Sequence, residues 1–246
     1  MDISVCSTLV YGASLIGVLR GGEAVLDTPW DIRSLRAYAK TKHPEDSAEL
    51  VLLINAIGHS QILFEYHKRL ARDAFQGFKD PSFFVEHQMR VGEQQGDWDE
   101  ACVQSEANLI ACVSTALNSL ETFGKLLEKL ELTTGSGNLH KVLRGLPNEE
   151  LRQSLDETIT SDGYKYLRAF TNTIKHHQLI DQRSTISFVE GRHGGKVVDF
   201  TYYNHFTGAL ESYEAHWVED VLRMAVSVGG SLVSCGRALN RQCLGD

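Results

Sequence analysis

From Asp97 to Leu130 the apolar side chains Ile110, Val113, Leu117, Leu120, Phe123, Leu127 and Leu130 recur every three or four residues. That spacing places them on one stripe of a long α-helix, the stripe by which a bundle helix packs on its neighbours. A second long run, from Asp46 to Phe75, is apolar on most sides through Leu50, Leu53, Ile54, Ile57, Leu63, Phe64 and Leu70, and reads as a central helix. Each run opens on an aspartate with a glutamate three residues later, Asp46 with Glu49 and Asp97 with Glu100. This is the pattern of a capping box, in which side-chain oxygens accept from the free amides of the first turn. Shorter helices are expected at 29–38, 138–145 and 149–159, and one follows Asp162-Gly163 as far as about 180. Residues 76–98 are polar and read as a loop with one short helix after Pro81.

Beyond residue 180 the period changes from helical to two. Ile186 and Phe188 alternate with polar residues, Arg192-His-Gly-Gly195 supplies a turn, and Val198, Phe200 and Tyr202 alternate again. The pattern predicts one β-hairpin over 184–204. Helical spacing returns over 208–240, with Val218, Val221, Leu222, Ala225, Leu232 and Cys235 on one stripe and Gly229-Gly230 as a candidate bend. Residues 1–45 form an N-terminal segment of uncertain structure, in which 1–28 give no clear assignment because glycines interrupt the spacing of Val5, Leu9, Ile16 and Leu19. The chain has only 4 prolines and no long polar tract, so no flexible linker is expected. The expected architecture is therefore mainly α: a single domain over 1–246, with bundle helices over 46–180 and one β-hairpin inserted before the last long helix.

A net charge of −8 and a pI near 5.7 argue against a broad DNA- or RNA-binding surface, which needs a basic excess. They leave room for a small basic pocket. The five cysteines are odd in number and lack CxxC spacing, as expected of reduced thiols in a cytoplasmic protein. Residues 3–19 are apolar, but no Lys or Arg precedes them and Ser7, Thr8, Gly12, Ser14 and Gly17 interrupt them. Neither a signal peptide nor a membrane span is expected there. His59 and His67 lie two turns apart, too far to share a metal ion, and are read as structural. Gly135-Ser-Gly-Asn-Leu-His-Lys141 has neither the preceding strand nor the Gly-Lys-Ser/Thr ending of a phosphate loop, so it reads as a turn and helix cap.

The chemistry that stands out lies on one helix. Tyr164 to His177 gathers Arg168, Asn172, Lys175, His176 and His177 within three turns. At about 100° per residue, Arg168, Asn172, Lys175 and His176 share an arc of roughly 100°, and Tyr166, Phe170, Ile174 and His177 lie opposite. An imidazole can exchange a proton near neutral pH, an arginine can hold a phosphate at two points, and an amide can orient either. Two readings stay open on these residues alone: a phosphate-handling site, or an ordinary solvated helix face. His177, on the apolar arc, reads as a core histidine.

A helical bundle with a late helix carrying Asn-Thr-Ile-Lys-His resembles the HEPN superfamily, whose members include RNA-cleaving toxins and phage-defence effectors. That family's motif is an arginine, usually followed by Asn, Asp or His, with a histidine after four to six intervening residues. Here Thr171-Asn-Thr-Ile-Lys-His176 matches the Asn and His positions and carries Thr171 where the motif has arginine. Arg168 stands nearly one turn earlier, with seven residues between it and His176. The resemblance implies a protein acting on RNA or binding a nucleotide, and at its fullest a metal-independent endoribonuclease with no cofactor. His176 would then be the general acid/base, Arg168 the phosphate-binding cation and Asn172 the orienting amide, with Lys175 and Thr171 in binding roles. It also implies a homodimer with two motif helices across a cleft. The alternative is a non-catalytic interaction module with a regulatory or defence-system partner.

Overall fold

Helices form along most of the chain because their apolar stripes, three and four residues apart, bury against one another. A computed structural model of the protein describes residues 30–78, 94–176, 180–205 and 207–245. The elements are α1 (Ile32–Lys42), α2 (Ser47–Asp73) with a 3-10 turn at Gln76–Phe78, α3 (Gln94–Lys129), α4 (Leu139–Gly145), α5 (Glu149–Thr160) and α6 (Asp162–His176). Five short strands follow, β1 (Gln182–Ser187), β2 (Arg192–Val197), β3 (Phe200–Asn204), β4 (Ala209–Tyr213) and β5 (His216–Trp217), and then α7 (Val218–Leu244). The fold is mainly α, with small antiparallel sheets ahead of the last helix.

Side-chain caps set several helix starts. The Asp31 carboxylate accepts from the Ser34 amide at 3.0 Å, Asn138 from Lys141 at 3.0 Å, Asn148 from Leu151 at 2.9 Å, and the Ser161 hydroxyl from Tyr164 at 3.2 Å. The capping expected of Asp46 is corrected: its side chain makes no cap bond. Asp46 and Glu49 instead hold the ammonium of Lys129 at 2.8 and 2.9 Å, pinning the end of α3 beside the start of α2. Asp97 lies inside the first turn of α3, which begins at Gln94.

The core is one contiguous cluster. It includes Leu50, Ile54 and Phe64 of α2, Leu120, Phe123 and Leu127 of α3, Leu151 and Leu155 of α5, Leu167 and Phe170 of α6, and Val221, Ala225, Leu232 and Leu239 of α7. A small satellite joins Phe78, Trp98 and Ala101. Helix α7 touches α1, α3, α5 and α6 and runs unbroken through Gly229-Gly230. Near its end Gly236 is filled over by the indole of Trp30, whose Nε1–H donates to Asn240 Oδ1 at 3.1 Å, while the Asn240 amide donates to the Asp31 carbonyl at 2.9 Å. Helix α2 is not central as expected. One face packs on α1 and α3, while Leu52, Ile62, Leu63 and Tyr66 point outward. The stretch Ser47–Phe78 is long and apolar enough to cross a membrane by length and composition alone, with 22% of its most apolar window buried.

The single hairpin expected at 184–204 is corrected to two. In the first, Gln182 pairs with Val197 and Ser187 with Arg192, and β5 adds to the β2 edge through Lys196–Trp217. Its turn lies at 188–191, where Gly191 adopts φ +62°, so Arg192-His-Gly-Gly195 is strand. Gly195 is there for close approach: a Cβ would meet the Gln182 side-chain amide at 2.5 Å and Val218 Cγ2 at 3.0 Å. In the second hairpin Phe200 pairs with Tyr213 and Asn204 with Ala209. The helix expected from 208 therefore starts ten residues later, at Val218. Cys102, Cys112, Cys235 and Cys243 are free thiols. Burial pushes Cys102 and Cys243 up to about 11 and Cys112 to about 12, which keeps them protonated and unreactive at neutral pH.

Candidate functional site

Helix α6 is covered along most of its length, so only the last turn of its polar arc is a solvated face. Tyr164, Tyr166, Leu167, Ala169, Phe170, Thr171 and Thr173 are buried, Arg168 and Asn172 are half-buried, and exposure resumes at Lys175 and His176. The cover is the second hairpin. Tyr166 is its anchor, with ring centroids 5.5 Å from Phe200, 5.7 Å from Tyr213 and 4.9 Å from His216, all edge-on.

Beneath β3 and β4 the polar groups of α6 meet partners from distant segments. The Asn172 amide donates to the Tyr202 hydroxyl at 3.2 Å. The Arg168 guanidinium lies 3.4 Å from His140 Nε2 on α4. A guanidinium only donates, so that nitrogen is an acceptor and the imidazole is neutral with its proton on Nδ1. Next to them Glu211 accepts from the Tyr213 hydroxyl at 2.7 Å and from the Asn204 amide at 2.8 Å. Those two bonds, with a smaller contribution from the charges of Arg168 and Lys165, hold the Glu211 carboxyl below its ordinary range. Burial, then the Glu211 bond, raises Tyr213.

Four of the five residues singled out in the sequence thus divide into two groups. Arg168 and Asn172 are joined under the hairpin with His140, Tyr202, Glu211 and Tyr213. Lys175 and His176 are exposed in the last turn, His176 about 12 Å along the helix from Arg168. Thr171 stands apart from both, 5% exposed, with a hydroxyl that makes no hydrogen bond among the described residues. His177 lies outside the described residues. No family model matches the chain, and no curated protein or solved structure matches it significantly.

The residues that sequence reasoning passed over had different degrees of visibility. Tyr202 was already on an alternating run next to the motif helix, so its place on a covering strand could be read. His140 sits in a short helix 28 residues before Arg168, and no spacing rule links the two. Glu211 and Tyr213 fall in the stretch expected to be helical.

His140 makes the cluster measurable. Its pKa lies below the ordinary 6.5, first because of burial, then because of the guanidinium charges of Arg168 and Arg144. Between its depressed folded value and 6.5 the unfolded chain binds the extra proton, so this residue lowers stability as pH falls through that window. In an NMR titration of the imidazole, Arg168→Gln should raise the pKa of His140 while leaving it under 6.5, because burial remains. An unchanged midpoint would remove Arg168 from its surroundings.

Proposed function

We propose that this chain is a HEPN-like helical bundle acting as a non-catalytic interaction module, with a regulatory or defence-system protein as partner. The observation that carries this reading is the engagement of Asn172 by Tyr202 of the second hairpin and of Arg168 by His140 of α4. Phosphoryl transfer to a 2′-hydroxyl needs a cation at the phosphate beside the acid/base group. Thr171 is neutral and buried, and Arg168 is turned toward His140 about two turns from His176. The C-terminal end of a helix also carries partial negative charge, which disfavours a phosphate at Lys175 and His176.

A second reading keeps the ribonuclease, because His176 and Lys175 are exposed. It requires the missing cation to come from elsewhere, such as the second copy of a homodimer. A mixed RNA pool incubated with the protein and a chelator separates the two. No cleavage by the native chain, and none by His176→Ala, is expected. Cleavage by the native chain that disappears in a folded His176→Ala variant would overturn the binding-module reading in favour of an RNA-cleaving enzyme.

A further inference from the structure

Helix α2 carries two apolar stripes. One, through Leu50, Ile54, Ile57, Phe64 and Ala71, is buried in the core. The other faces outward and alternates in steps of four and three, with His59 as a polar member: Leu52, Ala56, His59, Leu63, Tyr66 and Leu70. Leu52 is 68% exposed, Leu63 40% and Tyr66 49%, with Ile62 at 48% on the flank. A four-three alternation kept over six positions is the spacing by which one helix packs along another in a coiled coil. From Ala48 to Leu70, the charges bordering this face are Glu49 at one end and Arg69 at the other, and charge depletion marks the centre of an interface.

We infer that this seam pairs antiparallel with the same seam of a second copy. Side-chain size selects the occupant and its direction. In an antiparallel pair the seam positions meet as Leu52 with Leu70, Ala56 with Tyr66 and His59 with Leu63, each occurring twice by symmetry. The small Ala56 then makes room for the large Tyr66 of the other copy. A parallel pair would set Tyr66 against Tyr66 and leave a void between two Ala56, so neighbouring layers would demand different helix separations. Antiparallel pairing also lays the acidic start of α2, with Glu45, Asp46 and Glu49, near the end of its copy, where Arg69 and Arg72 outnumber Asp73. The inner flanks of these ends already make contacts: Glu49 with Lys129, Arg72 with Asp73, and Arg69 over the Tyr66 ring at 5.9 Å. On the seam's edge, Asn55 accepts from Arg36 at 3.2 Å and so stays within its own protomer. The pairing lies on α2 rather than α6, and it stands independently of what the α6 cluster does.

Sedimentation of the full chain, with circular dichroism to verify folding, tests this. The native protein should sediment as a dimer. Ala56→Tyr should weaken association by on the order of tenfold or more, because it fills the space that Tyr66 needs. The swapped pair, Ala56→Tyr with Tyr66→Ala, should recover most of it. Leu63→Glu should give a monomer. A native chain that stays monomeric up to about 0.1 mM overturns the inference. So does a dimer that survives Leu63→Glu, which would place the interface elsewhere, and so does a swapped pair no better than Ala56→Tyr alone. A monomer that co-sediments with phosphatidylcholine vesicles also overturns it and gives this face to lipid.

Discussion

Adding one methyl group at Gly236 is expected to destabilise the protein by about 3 kcal/mol, at the upper end for overpacking a core. An alanine Cβ there would lie 2.2 Å from Trp30 Cδ2, and 2.5 and 2.6 Å from the next two indole atoms. The indole is rigid, so it cannot give way at a flexible tip. It is also held by its bond to Asn240 and by an edge-on contact with Phe123 at 5.8 Å. Either Trp30 leaves its site or α7 shifts, and both strip contacts from the core. For a chain of this length the loss corresponds to a fall in melting temperature of roughly 6–12 °C, measurable by circular dichroism. Pairing Gly236→Ala with Trp30→Leu should restore part of the loss, since the smaller side chain removes the clash. A Gly236→Ala protein that melts with the native one would show that the indole does not lie on this glycine.

The second large effect belongs to Tyr166, and two substitutions there should act in opposite directions. Tyr166→Ala removes the ring that touches Phe170, Phe200, Tyr213 and His216, at an expected cost of about 3–5 kcal/mol. The second hairpin should loosen first, which hydrogen exchange would register as lost protection in β3 and β4 before the helices. Tyr166→Phe keeps the ring and removes a buried hydroxyl that makes no hydrogen bond among the described residues. Relief of that desolvation should stabilise the protein by about 1 kcal/mol. A destabilised Tyr166→Phe would mean that the hydroxyl has a partner after all.

Local signals carried the helices. The stripes of α2 and α3 depend only on residues within a few turns, and so do the boundaries of α4 and α5, which fall at the expected positions. The failures came where a residue answers to something far away. Gly194-Gly195 has the composition of a turn, yet Gly195 is small because Gln182 and Val218 crowd it from other elements. Asp46 has the composition of a cap, but Lys129, more than eighty residues away, takes its carboxylate. Residues 209–213 lost their strand identity to the helical spacing that follows, with Leu210 exposed and so showing no alternation. The same blindness divided the site. Helical geometry put Arg168, Asn172 and His176 on one arc, but which part of that arc is covered depends on a hairpin whose second strand was read as helix.

The contact between Trp30 and α7 bears on how the chain is made. Asn240 bonds to Trp30 and to the Asp31 carbonyl across 210 and 209 positions of sequence. Helix α7 emerges from the ribosome after every other described element, yet it supplies packing to α1, α3, α5 and α6. Until it arrives, each of those helices presents an uncovered apolar stripe, and contacts this distant in sequence close slowly. During synthesis, therefore, the nascent chain is a set of half-finished helices that depends on protection from aggregation until α7 docks.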